Sequence, residues 1–109
     1  PEILLPINSE APLATLDAHA FHLFVIRTKQ REKLQAYLAE NEVQTLIHYP
    51  IAPHHQKAYL TWSNLSLPVT EAIHNEVLSL PISPFMTDDQ VQAVIRVINK
   101  VQFLKKNTV

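Results

Sequence analysis

Apolar and polar positions alternate along the chain in short blocks that predict three strands and three helices. Residues 20–26 form a seven-residue run rich in aromatic and β-branched side chains, which predicts a strand covered on both faces. Shorter apolar runs at 43–47 and 78–80 predict two further strands. Residues 1–19 are interrupted by prolines and polar residues, so we expect a short extended segment followed by a loop.

Apolar residues at helical spacing predict the first helix between two polar end residues. Thr28 is the expected N-cap, and Asn41 is expected to adopt the left-handed conformation that often ends a helix. Leu34, Tyr37 and Leu38 would form the apolar stripe that faces the core.

Two more helices are predicted in the C-terminal half. Pro68 and Thr70 open a short helix that has Ile73 and Val77 on one face. Residues 87–90, Thr-Asp-Asp-Gln, have the pattern of a capping box with acidic residues in the first turn. The buried stripe of this last helix would comprise Val91, Val94, Ile95 and Ile98.

The order strand, helix, strand, helix, strand, helix predicts an α+β fold. We expect a small three-to-four-stranded, mainly antiparallel sheet with helices packed on one face. Because the strand at 20–26 is apolar on both sides, we also expect another domain to cover the opposite face. Residues 1–109 would then be a single domain, with residues 1–18 leading in from a preceding large domain, and the start at Pro1 agrees with a piece of a longer protein.

Composition narrows the classes of function. The chain has 109 residues, 47% hydrophobic and 17% charged, which is typical of one soluble domain with a core. The net charge of −1 and the lack of any basic cluster beyond Lys105-Lys106 argue against nucleic acid and anionic membrane as partners. No apolar run approaches the roughly 20 residues of a membrane span, so we expect a cytoplasmic protein.

Two residue types are absent, and each absence excludes chemistry. Without cysteine the chain can form no disulfide, thiolate nucleophile or zinc ribbon. Without glycine it can form no Walker A loop, dinucleotide-binding fingerprint or nucleophile elbow.

The candidate chemistry lies in a loop rich in histidine and proline. His48, His54 and His55 surround Pro50 and Pro53, which stiffen the backbone. Neighbouring phenol and amide groups make the loop suited to hydrogen bonds with a polyhydroxylated ligand, whereas a phosphate would call for arginine or a glycine-rich nest. The flanking groups are those of Tyr49, Gln56 and Tyr59.

Two other interpretations of this loop stay open. One is a surface turn with solvated histidines, and the other is a metal site, since imidazole binds zinc. Against a metal site, the nearest upstream carboxylate is Glu42, so we expect no metal ligands. His22 within an apolar strand is interpreted as a core histidine, and His19 and His74 as surface residues.

No catalytic residue is identified. None of the six lysines has the desolvating apolar context of a reactive amine: Lys29, Lys33, Lys57, Lys100, Lys105 and Lys106. The sequence shows neither a nucleophile-histidine-acid arrangement nor a carboxylate pair.

The loop at 47–59, IHYPIAPHHQKAY, resembles the signature loop of the DegT/DnrJ/EryC1/StrS aminotransferases. Further resemblances follow in the family's order: HLFVIR at 22–27, LPVTE at 67–71, LSLPI at 78–82 and the helix start near Met86. The chain departs from the family pattern at Glu42-Val43, where Gly-Ile is usual, so Asn41 would take over the turn. It also departs at Ala52-Pro53, where the proline is shifted by one position.

The resemblance implies the C-terminal small domain of a fold type I, pyridoxal phosphate (PLP)-dependent aminotransferase that is usually a homodimer. Its substrate would be a nucleotide-diphospho keto-deoxysugar, with glutamate as the expected amino donor. The Schiff-base lysine would lie in the large domain, so the isolated chain would bind no PLP covalently and would be inactive. The residues carried over as substrate-binding are His48, Tyr49 and His54. A stand-alone regulatory or interaction domain and a histidine-rich metal-binding module are the alternatives.

Overall fold

The structure, a computed structural model, describes residues 3–7 and 19–101. The described part contains two strands, three α-helices and two 3₁₀ segments, which confirms the α+β class. In chain order these are β1 (Phe24–Arg27), α1 (Arg31–Glu40), the 3₁₀ segments Pro53–His55 and Lys57–Trp62, α2 (Pro68–Glu76), β2 (Val77–Leu80) and α3 (Asp88–Asn99). Among these helices, none has the length and apolar character needed to cross a bilayer.

Within the described residues the sheet has two strands, fewer than the three to four that the sequence predicts. β1 and β2 pair antiparallel, with Phe24 opposite Leu80 at one end of the ladder. A single bridging residue flanks each edge: Leu4 pairs with Arg27, and Leu46 pairs with Ser79. The predicted strand at 43–47 therefore contributes only one bridge. The segment pairs with the edge of β2 at Leu46 alone and then continues into the proline-rich loop.

β1 also begins later than predicted. Phe21 has a φ of 45°, in the left-handed region, so the chain turns there and cannot continue an extended strand. The strand consequently starts at Phe24, and His22 lies in a bend where it is exposed. The interpretation of His22 as a core histidine is wrong for this reason.

The core is formed where β1, α1 and β2 meet. Ile26, Leu34, Leu38 and Leu78 are each no more than 1% exposed. Because opposing residues of an antiparallel pair share a face, Ile26 and Leu78 present one apolar surface toward α1. The predicted stripe of α1 is confirmed, and its half-buried Tyr37 donates a hydrogen bond to the carbonyl of Val97, 3.2 Å away.

Both predicted ends of α1 need correction. The helix begins at Arg31 with Gln30 as N-cap, and Thr28 lies two residues too early. Thr28 is instead buried, with its hydroxyl accepting a hydrogen bond from the Gln30 amide at 3.2 Å. At the other end, Asn41 has a φ of −102°, whereas Glu42 has a φ of 61° and makes the left-handed turn.

Hydrogen bonds explain why Glu42 takes this role. Its amide donates to the carbonyl of Ala39 at 3.1 Å, and the Val43 amide donates to that of Leu38 at 2.8 Å. This is the bond pattern of a Schellman motif, with Glu42 in the position that glycine usually fills. The apolar contact that accompanies the motif is supplied by Val43 and Leu38, both in the core.

The predicted helix and strand are both present as α2 and β2, but Val77, expected on one face of the helix, is instead the first residue of β2. The chain passes directly from one element to the other, so the helix ends one residue earlier than its apolar pattern suggests. Arg27 forms an ion pair with Glu76 at 2.7 Å, and Arg31 donates to the carbonyl of His74 at 2.6 Å. These contacts tie the end of α2 to β1 and to the start of α1.

α3 has the predicted capping box but not the predicted burial. The Gln90 amide donates to the Thr87 hydroxyl at 3.3 Å, and the Thr87 amide donates to the Gln90 side chain at 2.9 Å. Val94 and Ile98 are partly buried against the core, whereas Val91 and Ile95 are 38% and 43% exposed, so only half of the stripe packs inward. It borders a mostly apolar groove of about 290 Å³, which the described residues leave open.

Candidate functional site

His48 is held against β2 by a side-chain hydrogen bond. The bridge at Leu46 holds the chain beside β2, and two residues later His48 Nδ1 comes within 2.9 Å of the Ser79 hydroxyl oxygen. Ser79 is 5% exposed, so its hydroxyl is fixed by packing. The imidazole is thereby oriented while remaining partly accessible.

His48 lines a cleft of about 590 Å³ beside the sheet. Among the described residues, no Asp, Glu, Lys or Arg lines it, so it offers hydroxyl, amide and imidazole groups together with apolar surface. Such a lining can hydrogen-bond a hydroxylated ligand but provides no arginine or lysine for a phosphate. The polar groups belong to His22, Gln35, Gln44, Thr45, His48 and Ser79.

Tyr49 is adjacent to His48 but points to solvent. Its side chain is 64% exposed, and its ring meets the His48 ring edge-on, with centroids 5.4 Å apart. Its main-chain carbonyl accepts a hydrogen bond from His74 Nδ1 of α2 at 2.5 Å. The backbone is therefore anchored while the phenol stays available for a ligand or another domain.

His54 lies in a different environment from His48. It is 2% exposed, it does not line the cleft, and its Nε2 donates to the Glu71 carboxylate at 3.1 Å. Glu71 also accepts a hydrogen bond from the Leu67 amide at 2.8 Å. The Leu67 hydrogen bond, followed by that from His54, lowers the pKa of the Glu71 carboxyl below its ordinary value.

The structure places the rings of His48 and Tyr49 in contact, although only His48 lines the cleft. It buries the third predicted residue, His54, in a separate contact with Glu71. Sequence reasoning missed Ser79 and Glu71, which lie 31 and 17 residues from their histidine partners. His22, which lines the cleft with His48, could have been predicted as a site residue from its place in the HLFVIR motif. The lysines that the structure describes are all exposed, and none lines the cleft with His48.

Comparison with known proteins agrees with the sequence resemblance. The model of the DegT/DnrJ/EryC1/StrS aminotransferase family matches residues 4–99. A dTDP-3-amino-3,6-dideoxy-alpha-D-galactopyranose transaminase from Aneurinibacillus thermoaerophilus is 56% identical over 90 residues, which are 82% of this chain and 25% of that protein.

Solved structures are similar as well. The crystal structure of DesV from S. venezuelae in complex with a ketimine intermediate has a TM-score of 0.77 and 32% identity, covering 97% of this chain and 27% of that one. NtdA from Bacillus subtilis with bound cofactor PMP has a TM-score of 0.68 and 33% identity, covering 91% and 23%. The chain therefore spans about a quarter of the length of the proteins it matches.

Proposed function

Because the chain belongs to the DegT/DnrJ/EryC1/StrS aminotransferase family, we propose that it is the C-terminal small domain of a PLP-dependent aminotransferase. Its substrate is a nucleotide-diphospho keto-deoxysugar, and the amino donor is glutamate. Two observations support this proposal. The chain is 56% identical over 90 residues to a dTDP-sugar transaminase, and the described residues that line the cleft with His48 include no carboxylate, lysine or arginine. The parent is a cytoplasmic homodimer in this proposal.

The described residues do not fit the cofactor itself. PLP needs a lysine amine for its imine and an acid for the pyridine nitrogen. The described lysines are exposed and no carboxylate lines the cleft, so these residues supply neither group. We therefore place the cofactor and the proton transfers in the large domain, and the isolated chain is inactive.

In this proposal, His48 and Tyr49 bind the sugar and orient it. With Nδ1 of His48 engaged by Ser79, its Nε2 is the nitrogen left to meet a sugar hydroxyl. The Tyr49 phenol adds a second hydrogen-bonding group next to it. His54 acts indirectly, because its buried contact with Glu71 fixes the loop that carries the other two residues.

Kinetics of the full-length parent test these roles. We expect His48→Phe and Tyr49→Phe each to raise the KM for the sugar by roughly 2- to 12-fold, the range for loss of one neutral hydrogen bond. Ser79→Ala should raise it less, because it removes only the group that orients His48.

The controls separate sugar binding from cofactor binding. His55→Phe makes the same change at an exposed residue outside the cleft and should leave the sugar KM unchanged. The absorbance of bound PLP should be the same in all four variants. Loss of that absorbance, or an unchanged KM in both the His48 and the Tyr49 variants, would show that the assigned roles are wrong.

A further inference from the structure

A second group of ligand-forming side chains lies outside the cleft, where the histidine loop meets α2. One ligand atom from each of His54, His55 and Glu71 lies within 4.8 Å of the others. The sequence argues against a metal site because it places no carboxylate near the histidines. The fold removes that objection, since α2 brings Glu71 back to His54 across 17 residues.

The spacing of these atoms fits a small divalent ion. Zinc bonds to nitrogen and oxygen are about 2.0–2.2 Å long, so neighbouring ligands of a tetrahedral ion lie roughly 3.3–3.5 Å apart. His54 Nε2 and Glu71 Oε1 are 3.1 Å apart. The His55 ring centroid is 4.0 Å from that of His54. Because His55 is exposed, its ring can rotate to supply the third ligand.

Two of the three ligands are already held in place. His54 is 2% exposed within a 3₁₀ turn that begins at Pro53, and its Nδ1 is buried without a hydrogen-bond partner among the described residues. The Glu71 carboxylate is oriented by the Leu67 amide, which is the kind of supporting contact that metal ligands usually have. The site is thus largely preorganised, because His54 Nε2 and the Glu71 carboxylate already face each other.

Space for a further ligand lies beside the cluster. A cavity of about 280 Å³ is lined by His55, Glu71 and His74, which is enough room for water to complete the coordination. Two imidazoles and one carboxylate favour zinc or a similar transition metal, because calcium and magnesium prefer oxygen ligands alone.

We propose that His54, His55 and Glu71 bind a divalent transition-metal ion, with Zn²⁺ as the best match. The ion replaces the hydrogen bond between His54 and Glu71 by two coordinate bonds. It thereby cross-links the turn at Pro53–His55 to the first turn of α2. This binding does not depend on the proposed transaminase activity.

Titration of the metal-free 109-residue chain with zinc chloride tests the proposal. We expect one saturable site by calorimetry and, at zinc one hundred-fold above its Kd, a Tm increase of roughly 10 °C or more. Magnesium chloride at the same concentration should not change the Tm. Failure to detect a saturable zinc site would overturn the proposal.

Three variants locate the ion. His55→Ala changes an exposed residue and leaves the contact between His54 and Glu71 intact, so it should fold and bind zinc at least about 10-fold more weakly. Glu71→Gln keeps an acceptor for Leu67 and should weaken binding similarly. His19→Ala, at an exposed histidine far along the chain, is the matched control and should bind like the unaltered chain. Equal affinities in all three variants would place the ion elsewhere and refute the assignment.

Discussion

Replacing Glu42 by glycine should stabilise the fold, although it removes a side chain and adds none. Glu42 ends α1 with a φ of 61°, a conformation that costs an L-residue roughly 1–2 kcal/mol and costs glycine nothing. The side chain is exposed and forms no hydrogen bond or ion pair with the other described residues. Glycine is more flexible in the unfolded chain, which cancels part of the gain.

The net gain in the free energy of unfolding is about 0.5–1 kcal/mol. For a domain of this size, it corresponds to a Tm increase of roughly 2–8 °C. Thermal unfolding followed by circular dichroism at 222 nm measures the shift, and urea unfolding gives the free energy independently. The hydrogen bonds from the amides of Glu42 and Val43 involve backbone atoms alone, so the variant keeps them.

Two glycine variants nearby make the test specific. Glu40→Gly removes the same side chain from the last helical residue and should lower the Tm by roughly 2–8 °C, because glycine weakens a helix. Asn41→Gly should give no gain, since Asn41 has a φ of −102° and its side chain donates to the Tyr37 carbonyl at 2.8 Å. A gain at Asn41, or a neutral or destabilising effect at Glu42, would refute the argument.

The remaining predictions concern α2 and α3. Because the pKa of Glu71 is lower in the folded state than its ordinary 4.5, the stabilisation that its ionised form provides is complete above about pH 4.5 and is lost as the pH falls through the folded-state pKa. The Tm should therefore fall below pH 4.5, and Glu71→Gln should reduce that fall; an identical profile in the variant would contradict the prediction. Thr87→Ala should cost about 1 kcal/mol, roughly 4–8 °C in Tm, by removing the capping box, whereas Thr87→Ser should cost little. Equal losses in both Thr87 variants would show that the hydroxyl is not responsible.

Much of the secondary structure could be predicted because it depends on neighbouring residues. The capping box of Thr87 and Gln90 joins residues three positions apart, and the stripe of Leu34 and Leu38 joins residues one helical turn apart. The family resemblance was equally accessible, since its motifs are contiguous segments of the chain. The strand at 20–26 was mispredicted because Phe21 carries no turn signal in the sequence, yet its left-handed φ shortens β1.

In the candidate site, too, the sequence revealed what lies within one motif and missed what depends on the fold. The sequence predicted His48 and Tyr49 as site residues because both lie within one motif, and it grouped His54 with them for the same reason. Distance along the chain does not reveal which side of the loop is packed, so the burial of His54 became visible only in the fold.

The sequence by itself determined the family, the helix patterns and the loop that carries the histidines. Only the tertiary structure decided which partner each histidine meets: Ser79 for His48 and Glu71 for His54. It also decided that Glu42, and not Asn41, makes the left-handed turn, since that turn brings the next residue, Val43, into the core with Leu38. The physical reason is that caps and stripes depend on contacts within a few residues. Contacts across 17 or 31 residues exist only after β2 and α2 have packed against the rest of the domain.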